Sequence, residues 1–247
     1  MHRQDFKLMA KRNPKTLDTF ITSQTTMSRR EIIPLLKRQA ITLNGHTISA
    51  LKHPMTTEDI LKIDGKHIRY TTPFVYYKYY KPKGIICSCK DPKDRRDIRY
   101  VIHKHRLPPS VRPVGRLDRQ TTGLLLLTND GQFTQTLCHP SHHMEKHYSV
   151  TTAKPYSPAM IKKLQLGLTL SDGPVHFKAI YLISPTQLQL VIEEGRNRII
   201  RRCFEHLNCT IKHLKRLRIG PFELGKLTLD TVQPFSAKEL KWVDKLV

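Results

Sequence analysis

Apolar and polar positions divide this chain near residue 70. Before it, short helical clusters alternate with brief two-periodic runs; after it, alternating runs dominate around one uninterrupted apolar block. In the first part, Leu17-Asp18-Thr19-Phe20-Ile21 begins an amphipathic helix. Ser28-Arg29-Arg30-Glu31 then forms a capping box, in which the Ser28 hydroxyl accepts from the Glu31 N–H and Glu31 accepts from the Ser28 N–H. The helix it starts carries Ile32, Leu35, Leu36 and Ala40 at roughly helical spacing, with Pro34 expected to kink it near its first turn. Ile41-Thr42-Leu43, Asn44-Gly45 and His46-Thr47-Ile48 make a hairpin pattern whose two-residue turn needs positive φ. Residues 60–63 form a further strand ending at Asp64-Gly65. Residues 1–14 are expected to be a loosely held basic arm, residues 15–70 a small helix-helix-hairpin unit, and residues 66–73 a linker.

A second unit, residues 74–247, opens on Phe74-Val75-Tyr76-Tyr77-Lys78-Tyr79-Tyr80, which is rich in β-formers. Lys81-Pro82-Lys83-Gly84 reads as a turn, Ile85-Ile86-Cys87 as a continuing strand, and residues 91–112 as a mobile charged loop with at most a short helix near 98–104. Leu124-Leu125-Leu126-Leu127 reads as a strand covered on both faces or a short buried helical turn; Gly123 before it and Asn129-Asp130-Gly131 after it favour the strand. Helices are predicted to Cys138 and over 158–167, with Pro158 near the first position of the latter. Strands are predicted over 145–150, 175–183, 187–192, 211–219 and 222–224, and a helix opens with Glu193-Glu194-Gly195 and continues through Cys203, Phe204 and Leu207. This irregular interleaving argues for an α+β class: a small N-terminal α/β unit, then a domain on a mixed, mostly antiparallel sheet flanked by helices.

Charge narrows the partners. Lys and Arg number 43 against 20 Asp and Glu, a formal net charge of +23, which points to a polyanion and first to nucleic acid. A membrane surface is the other polyanion, but there is no long amphipathic basic helix and no lipidation signal. The longest apolar runs are about four residues, far from the ~20 a membrane span needs. The first residues lack the apolar stretch of a signal peptide, and five irregularly spaced cysteines do not form a disulfide framework, so a cytoplasmic location is expected. Cys87-Ser88-Cys89 and Cys138-His139-Pro140-Ser141-His142-His143 each lack a second half at metal-binding spacing, and no metal is expected.

The candidate chemistry sits ahead of the leucine block. In Gly115-Arg116-Leu117-Asp118-Arg119-Gln120-Thr121-Thr122-Gly123 a lone carboxylate stands between arginines. A rigid strand behind it could present Asp118 as a nucleophile; equally, Asp118 could cap a turn and pair with an arginine.

Two resemblances bear on that choice. Leu17-Asp18, Ser28-Arg29-Arg30-Glu31, Leu43-Asn44-Gly45 and Asp64-Gly65-Lys66, in this order, resemble the S4 RNA-binding domain. The chain departs from that pattern at Pro34 and in lacking a glycine before Ile41. The resemblance implies that Arg29 and Arg30 meet RNA phosphate, against a plainer reading as a solvated helix face. The Asp118 segment through Gly131 resembles the central motif of pseudouridine synthases of the ribosomal small-subunit type. Lys81-Pro82-x-Gly84, Lys146-x-Tyr148-x-Val150, Gly195-Arg196-Asn197-Arg198-x-x-Arg201-Arg202 and Gly220-Pro221 followed by Leu224 fit the same family, so the two resemblances together span about residues 15–235.

The resemblance implies isomerisation of a uridine in ribosomal RNA, with Asp118 as nucleophile on a flipped-out base. It implies that an arginine pairs with Asp118. By position this is Arg201, with Arg198 and Arg202 open, and the family's common glutamine is replaced by Ile199. It implies that Tyr148 stacks on the uracil and takes the C5 proton; the alternative is a strand tyrosine packed in the core. Arg116 would enter the gap left by the base, and Arg196 and Arg198 would bind RNA. Lys81 and Lys146 would be RNA or pocket contacts, Lys81 being equally readable as a surface turn lysine. No cofactor is implied, because the isomerisation is redox-neutral, and a monomer is expected. The competing readings are a non-catalytic S4-type RNA-binding or ribosome-assembly factor, and a structural protein on DNA or another anionic surface.

Overall fold

A computed structural model of the chain describes residues 12–89 and 95–246. Most of the arm expected at 1–14, and part of the charged loop expected at 91–112, lie outside the described residues. The N-terminal unit pairs helices α1 (Leu17–Gln24) and α2 (Arg29–Lys37) with strands β1 (Ile41–Leu43), β2 (His46–Thr47), β3 (Leu61–Ile63) and β4 (Lys66–Ile68). The capping box of α2 forms, with Glu31 accepting from the Ser28 N–H at 2.8 Å, and the helix runs unbroken through Pro34. The four strands form an antiparallel sheet in the order β2-β1-β3-β4. Asn44 and Gly45 have φ of 51° and 87°, and Asp64 and Gly65 have 47° and 75°. Both turns therefore place two central residues in the left-handed region that a tight hairpin needs. Asp64-Gly65 repeats the chemistry of Asn44-Gly45, which is why residues 66–68 pair back onto β3 and are not the start of a linker.

The second unit contains β5 (Tyr76–Lys81), α3 (Ile98–Lys104), β6 (Arg112–Val114), β7 (Thr122–Thr128), α4 (Gly131–Cys138), β8 (Lys146–Thr152), α5 (Pro158–Leu166), β9 (Leu168–Leu170) and β10 (Gly173–Val175). It continues through β11 (Ala179–Ser184), β12 (Gln187–Ile192), α6 (Ile199–His206), β13 (Ile211–Ile219), β14 (Phe222–Glu223), β15 (Val232–Pro234) and α7 (Ala237–Leu246). Its nine-stranded sheet runs β11-β12-β8-β13-β7-β5-β15, with β14 on β13 and β6 on β7, while β9 and β10 pair apart. Its pairings are antiparallel except β13 with β7, which touch in parallel over Lys215–Thr122 and Arg216–Gly123. That short contact is the seam between two half-sheets, and the fold is the mixed, mostly antiparallel α+β arrangement that the pattern predicts.

The leucine block anchors one side of the seam in the core. Leu124 to Leu127 are all fully buried in β7. Leu124 and Leu126 join Phe133, Phe222 and Val243 in one core, and Leu125 and Leu127 join Tyr79, Ile98 and Val101 in another. The strand is thus covered on both faces, with alternate side chains feeding different cores. The second half-sheet has its own core, where Val150, Leu190 and Leu214 meet Leu164 of α5 and Phe204 of α6.

Three local expectations need correction. Ile85-Ile86-Cys87 is not a strand, and Ile86 makes an isolated bridge to Asp97. Lys81 is the last residue of β5, not part of the following turn. Residues 193–198 are loop, and α6 begins at Ile199. The two units meet at Asn129, whose buried amide accepts from the Val75 N–H at 2.8 Å and donates to Pro73 O at 3.0 Å and Ser23 O at 3.3 Å. Among the described residues no helix is long and apolar enough to cross a membrane.

Candidate active site

A cleft of about 820 Å³ opens at the seam. Its walls are the Asp118 loop, β8, the start of α6, the loop before α6 and the end of α4. The size suits a nucleoside with its immediate neighbours.

The loop that carries Asp118 is held from below. At Gly123 (φ 109°) a Cβ would lie 2.2 Å from Arg216 O, so the backbones of β7 and β13 approach too closely for a side chain there. Lys81 is fully buried, and its ammonium donates to Pro82 O and Thr121 O, both at 2.9 Å, and reaches Asp118 O at 3.2 Å and Arg119 O at 3.4 Å. It is therefore neither a surface turn lysine nor placed to touch RNA; it gathers the carbonyls of the Asp118 loop. Burial pushes its pKa down to about 8. The loop is tied further by Gly84 N–H to Arg119 O at 2.8 Å and by Leu117 N–H to Cys87 Sγ at 3.3 Å.

The carboxylate of Asp118 projects from this frame, half-buried, into the cleft. The Arg201 Nε lies 3.8 Å from its Oδ2, and Arg201 Nη2 donates to Gln120 O and Thr121 Oγ1, both at 3.2 Å. One turn of α6 thus clamps the loop and faces the acid at the same time. Burial lowers the Arg201 pKa, and the Asp118 charge opposes that shift. The other two arginines left open by the sequence are engaged elsewhere: Arg198 with Glu205 at 3.0 Å and Arg202 with Asp172 at 2.9 Å.

Tyr148 on β8 lines the same cleft, opposite Arg216 on β13. Arg116 is exposed at its edge. Lys146 lines it too, but its ammonium donates to Met144 O at 2.8 Å and Glu193 O at 3.0 Å, and burial lowers its pKa. Arg196 spends its donors on Glu194, on Asp172 (3.1 Å) and on the Pro174 carbonyl, so it braces the loop before α6. In the N-terminal unit, Arg29 is held at 2.6 Å by the buried Asp18 carboxylate, while Arg30 is exposed. Of that pair, Arg30 is the one presented to solvent.

One cleft residue escaped the sequence reading. Arg216 is 4% exposed, donates from Nε to Leu124 O at 2.8 Å and from Nη1 to Arg116 O at 3.4 Å, and thereby ties β13 across the seam to the Asp118 loop. Its signal is the alternation Leu214, Arg216 along β13, which puts a cation where the pattern calls for an apolar side chain.

The pattern of a family described as RNA pseudouridylate synthase matches residues 75–206. The chain is 33% identical over 232 residues to the ribosomal large subunit pseudouridine synthase B of Bacillus subtilis (strain 168), covering 91% of this chain and 93% of that protein. It is 31% identical over 232 residues to the ribosomal small subunit pseudouridine synthase A of Pasteurella multocida (strain Pm70), covering 93% and 99%. A crystal structure of a pseudouridylate synthase superposes with a TM-score of 0.63 at 27% identity, over 95% of this chain and all of that one.

Proposed function

The chain belongs to the RNA pseudouridylate synthase family, and from that premise we propose that it converts a uridine of ribosomal RNA to pseudouridine with Asp118 as the nucleophile. The observation that carries the assignment is the Asp118 carboxylate, held in the cleft 3.8 Å from the Arg201 guanidinium on a loop fixed by Lys81. The guanidinium faces the attacking carboxylate and helps to orient it. The target base leaves the RNA stack to enter the cleft, at a cost of a few kcal/mol that phosphate contacts offset. Arg116, exposed at the cleft edge, occupies the vacated position.

Attack by Asp118 labilises the N1–C1′ bond. The freed uracil turns over, C5 bonds to C1′, and the C5 proton leaves while N1 regains one. The Tyr148 ring stacks on the base and its hydroxyl handles the C5 proton. Residues 15–70 act as an S4-type RNA-binding unit, with Arg30 as a phosphate contact, while Arg29 is held by the buried Asp18 carboxylate.

The test is to supply Asp118→Asn in a strain lacking the gene and to map pseudouridine in both ribosomal RNAs. The expected outcome is loss of one modification that the wild-type chain restores. Persistence of that modification in the Asp118→Asn strain would sink the proposal.

A further inference from the structure

One face of the half-sheet β8, β11, β12 and β13 is covered by α5 and α6; on the other Tyr181 and His213 are exposed, Gln189 and Lys215 are half-buried, and Ser149 and Val191 are buried. On the covered face Val150, Leu188, Leu190 and Leu214 pack beneath α5 and α6. The opposite face carries Tyr181, Gln189, Ser149 and Lys215, none of which belongs to a hydrophobic cluster. These four stand directly across from one another: Tyr181 opposite Gln189, Gln189 opposite Ser149, Ser149 opposite Lys215, and Lys215 opposite Thr122. At roughly 4.8 Å between strands, this row runs about 19 Å from the edge strand to β7, next to the Asp118 loop. A second row, Gln187, Thr151 and His213, lies beside it.

Two properties decide what fits such a face. The first is charge. None of these four strands contains an Asp or a Glu. Lys83, Lys212 and His213 are exposed at the end near the catalytic loop, with Lys83 Nζ 3.5 Å from His213 Nδ1. The turn carrying Lys83 is itself tied to that loop through Gly84 N–H to Arg119 O at 2.8 Å. At the far end, Glu145 is already engaged by Lys178 at 2.8 Å and His147 at 3.3 Å. The second property is chemistry. Gln187, Gln189, Ser149 and Thr151 fill the middle of the face, and Tyr181, 55% exposed, stands on the edge strand next to the exposed Leu182 and Ile183. A protein partner would call for an apolar centre. Stacking ring, hydrogen-bonding row and lysines with no carboxylate partner among the described residues match single-stranded RNA.

We propose that this opposite face of β8, β11, β12 and β13 is a second RNA-binding surface, which holds a single-stranded stretch flanking the target uridine. Gln187 Nε2 donates to Ser149 Oγ at 2.9 Å and braces the row; Tyr181 stacks on a base, Gln189 contacts a base or ribose edge, and Lys83, Lys212 and Lys215 take phosphates. The proposal rests on the reading of the chain as an enzyme of ribosomal RNA.

The experiment uses the full chain and a ribosomal RNA fragment. A benzophenone amino acid at position 189 should give a photo-adduct with RNA, and the same group at Lys241, on the outer side of α7, should give none. The double variant Lys83→Gln, Lys212→Gln removes two exposed cations and should leave the fold intact. It should lower the slope of log K against log salt by about 1.4, the value for two phosphates on a single strand, which is about a sevenfold change between 50 and 200 mM salt. Tyr181→Ala should weaken binding by about fivefold or more. An unchanged slope in the double variant, or no RNA adduct at position 189, overturns the proposal. If the wild-type chain itself fails to bind ribosomal RNA, the enzymatic reading falls as well; if it binds and the slope is unchanged, only this surface falls.

Discussion

Lys81→Met separates the stability of the chain from the geometry of its Asp118 loop. Methionine reaches as far as the lysine Cε and removes all donors. Asp118 O also accepts from Thr121 N–H at 3.0 Å and Arg119 O from Gly84 N–H at 2.8 Å, so the loss falls on Pro82 O and Thr121 O. Leaving two buried carbonyls unpaired costs about 2–6 kcal/mol. Against this, burial takes the Lys81 ammonium from 10.5 to about 8, a penalty of roughly 3 kcal/mol that the methionine does not bear. The two effects nearly offset, and the net change by urea unfolding should lie between a gain of about 1 and a loss of about 3 kcal/mol. Turnover should fall far more, by about 100-fold, because a displacement of about 1 Å in a reacting group is enough for that. The pH dependence follows from the sign of the shift. The folded-state pKa lies below the unfolded one, so the penalty is fully present below about pH 8 and is relieved as pH rises toward 10.5. The stability of wild type relative to Lys81→Met should therefore rise across that window. A variant less stable by more than about 5 kcal/mol, or one that turns over within twofold of wild type, would refute the positioning role.

Other expectations are equally local. Gly123→Ala puts a Cβ 2.2 Å from Arg216 O, whereas Gly45→Ala meets nothing within 4 Å although both sites have positive φ. The first should cost at least about 2 kcal/mol more than the second by denaturant unfolding. Asn129→Ala removes the amide that joins Ser23, Pro73 and Val75, and should cost about 2–5 kcal/mol and make residues 15–70 more susceptible to proteolysis. Arg202→Gln, whose partner Asp172 lies on the surface, should leave single-turnover rates within about threefold.

Much of the fold was legible because its punctuation is chemical. Asn44-Gly45 and Asp64-Gly65 both form tight hairpin turns, although only the first is paired with its strands in the sequence reading. The leucine block is legible because no polar residue interrupts it, and both faces prove to be covered. What escaped were elements too short to show a period. The strands β6, β9, β10 and β15 have three residues each, and their pairing depends on partners distant in sequence. The site was legible in its residue types but not in its contacts. Lys81 and Arg196 are polar residues whose sequence context suggests a ligand, yet backbone carbonyls and carboxylates of the chain itself take their donors. Arg216 was hidden for the opposite reason: it sits at a core position of a basic strand, and only the seam with Gly123 gives it carbonyls to bind.

The unpaired donors around Asp118 set up a trade between stability and turnover. Arg201 Nε and one Arg216 terminal nitrogen, Nη2, are buried without a hydrogen-bond partner among the described residues, and both residues line the cleft. A buried guanidinium that is incompletely paired costs free energy in the empty protein, and burial lowers the Arg201 pKa for the same reason. Arg201→Met removes that cost. It also removes the hydrogen bonds to Gln120 O and Thr121 Oγ1, each worth about 1 kcal/mol, and leaves Asp118 unpaired. Asp118 is 30% exposed, so water can solvate the carboxylate once the guanidinium is gone. Gains and losses should therefore cancel to within about 1 kcal/mol, while turnover falls by about 1000-fold because nothing then orients the attacking carboxylate. Urea unfolding and single-turnover rates on the same preparation check both halves. A loss of stability near the 3–5 kcal/mol typical of an uncompensated buried charge would mean that Arg201 holds the fold, and that its place beside Asp118 is structural.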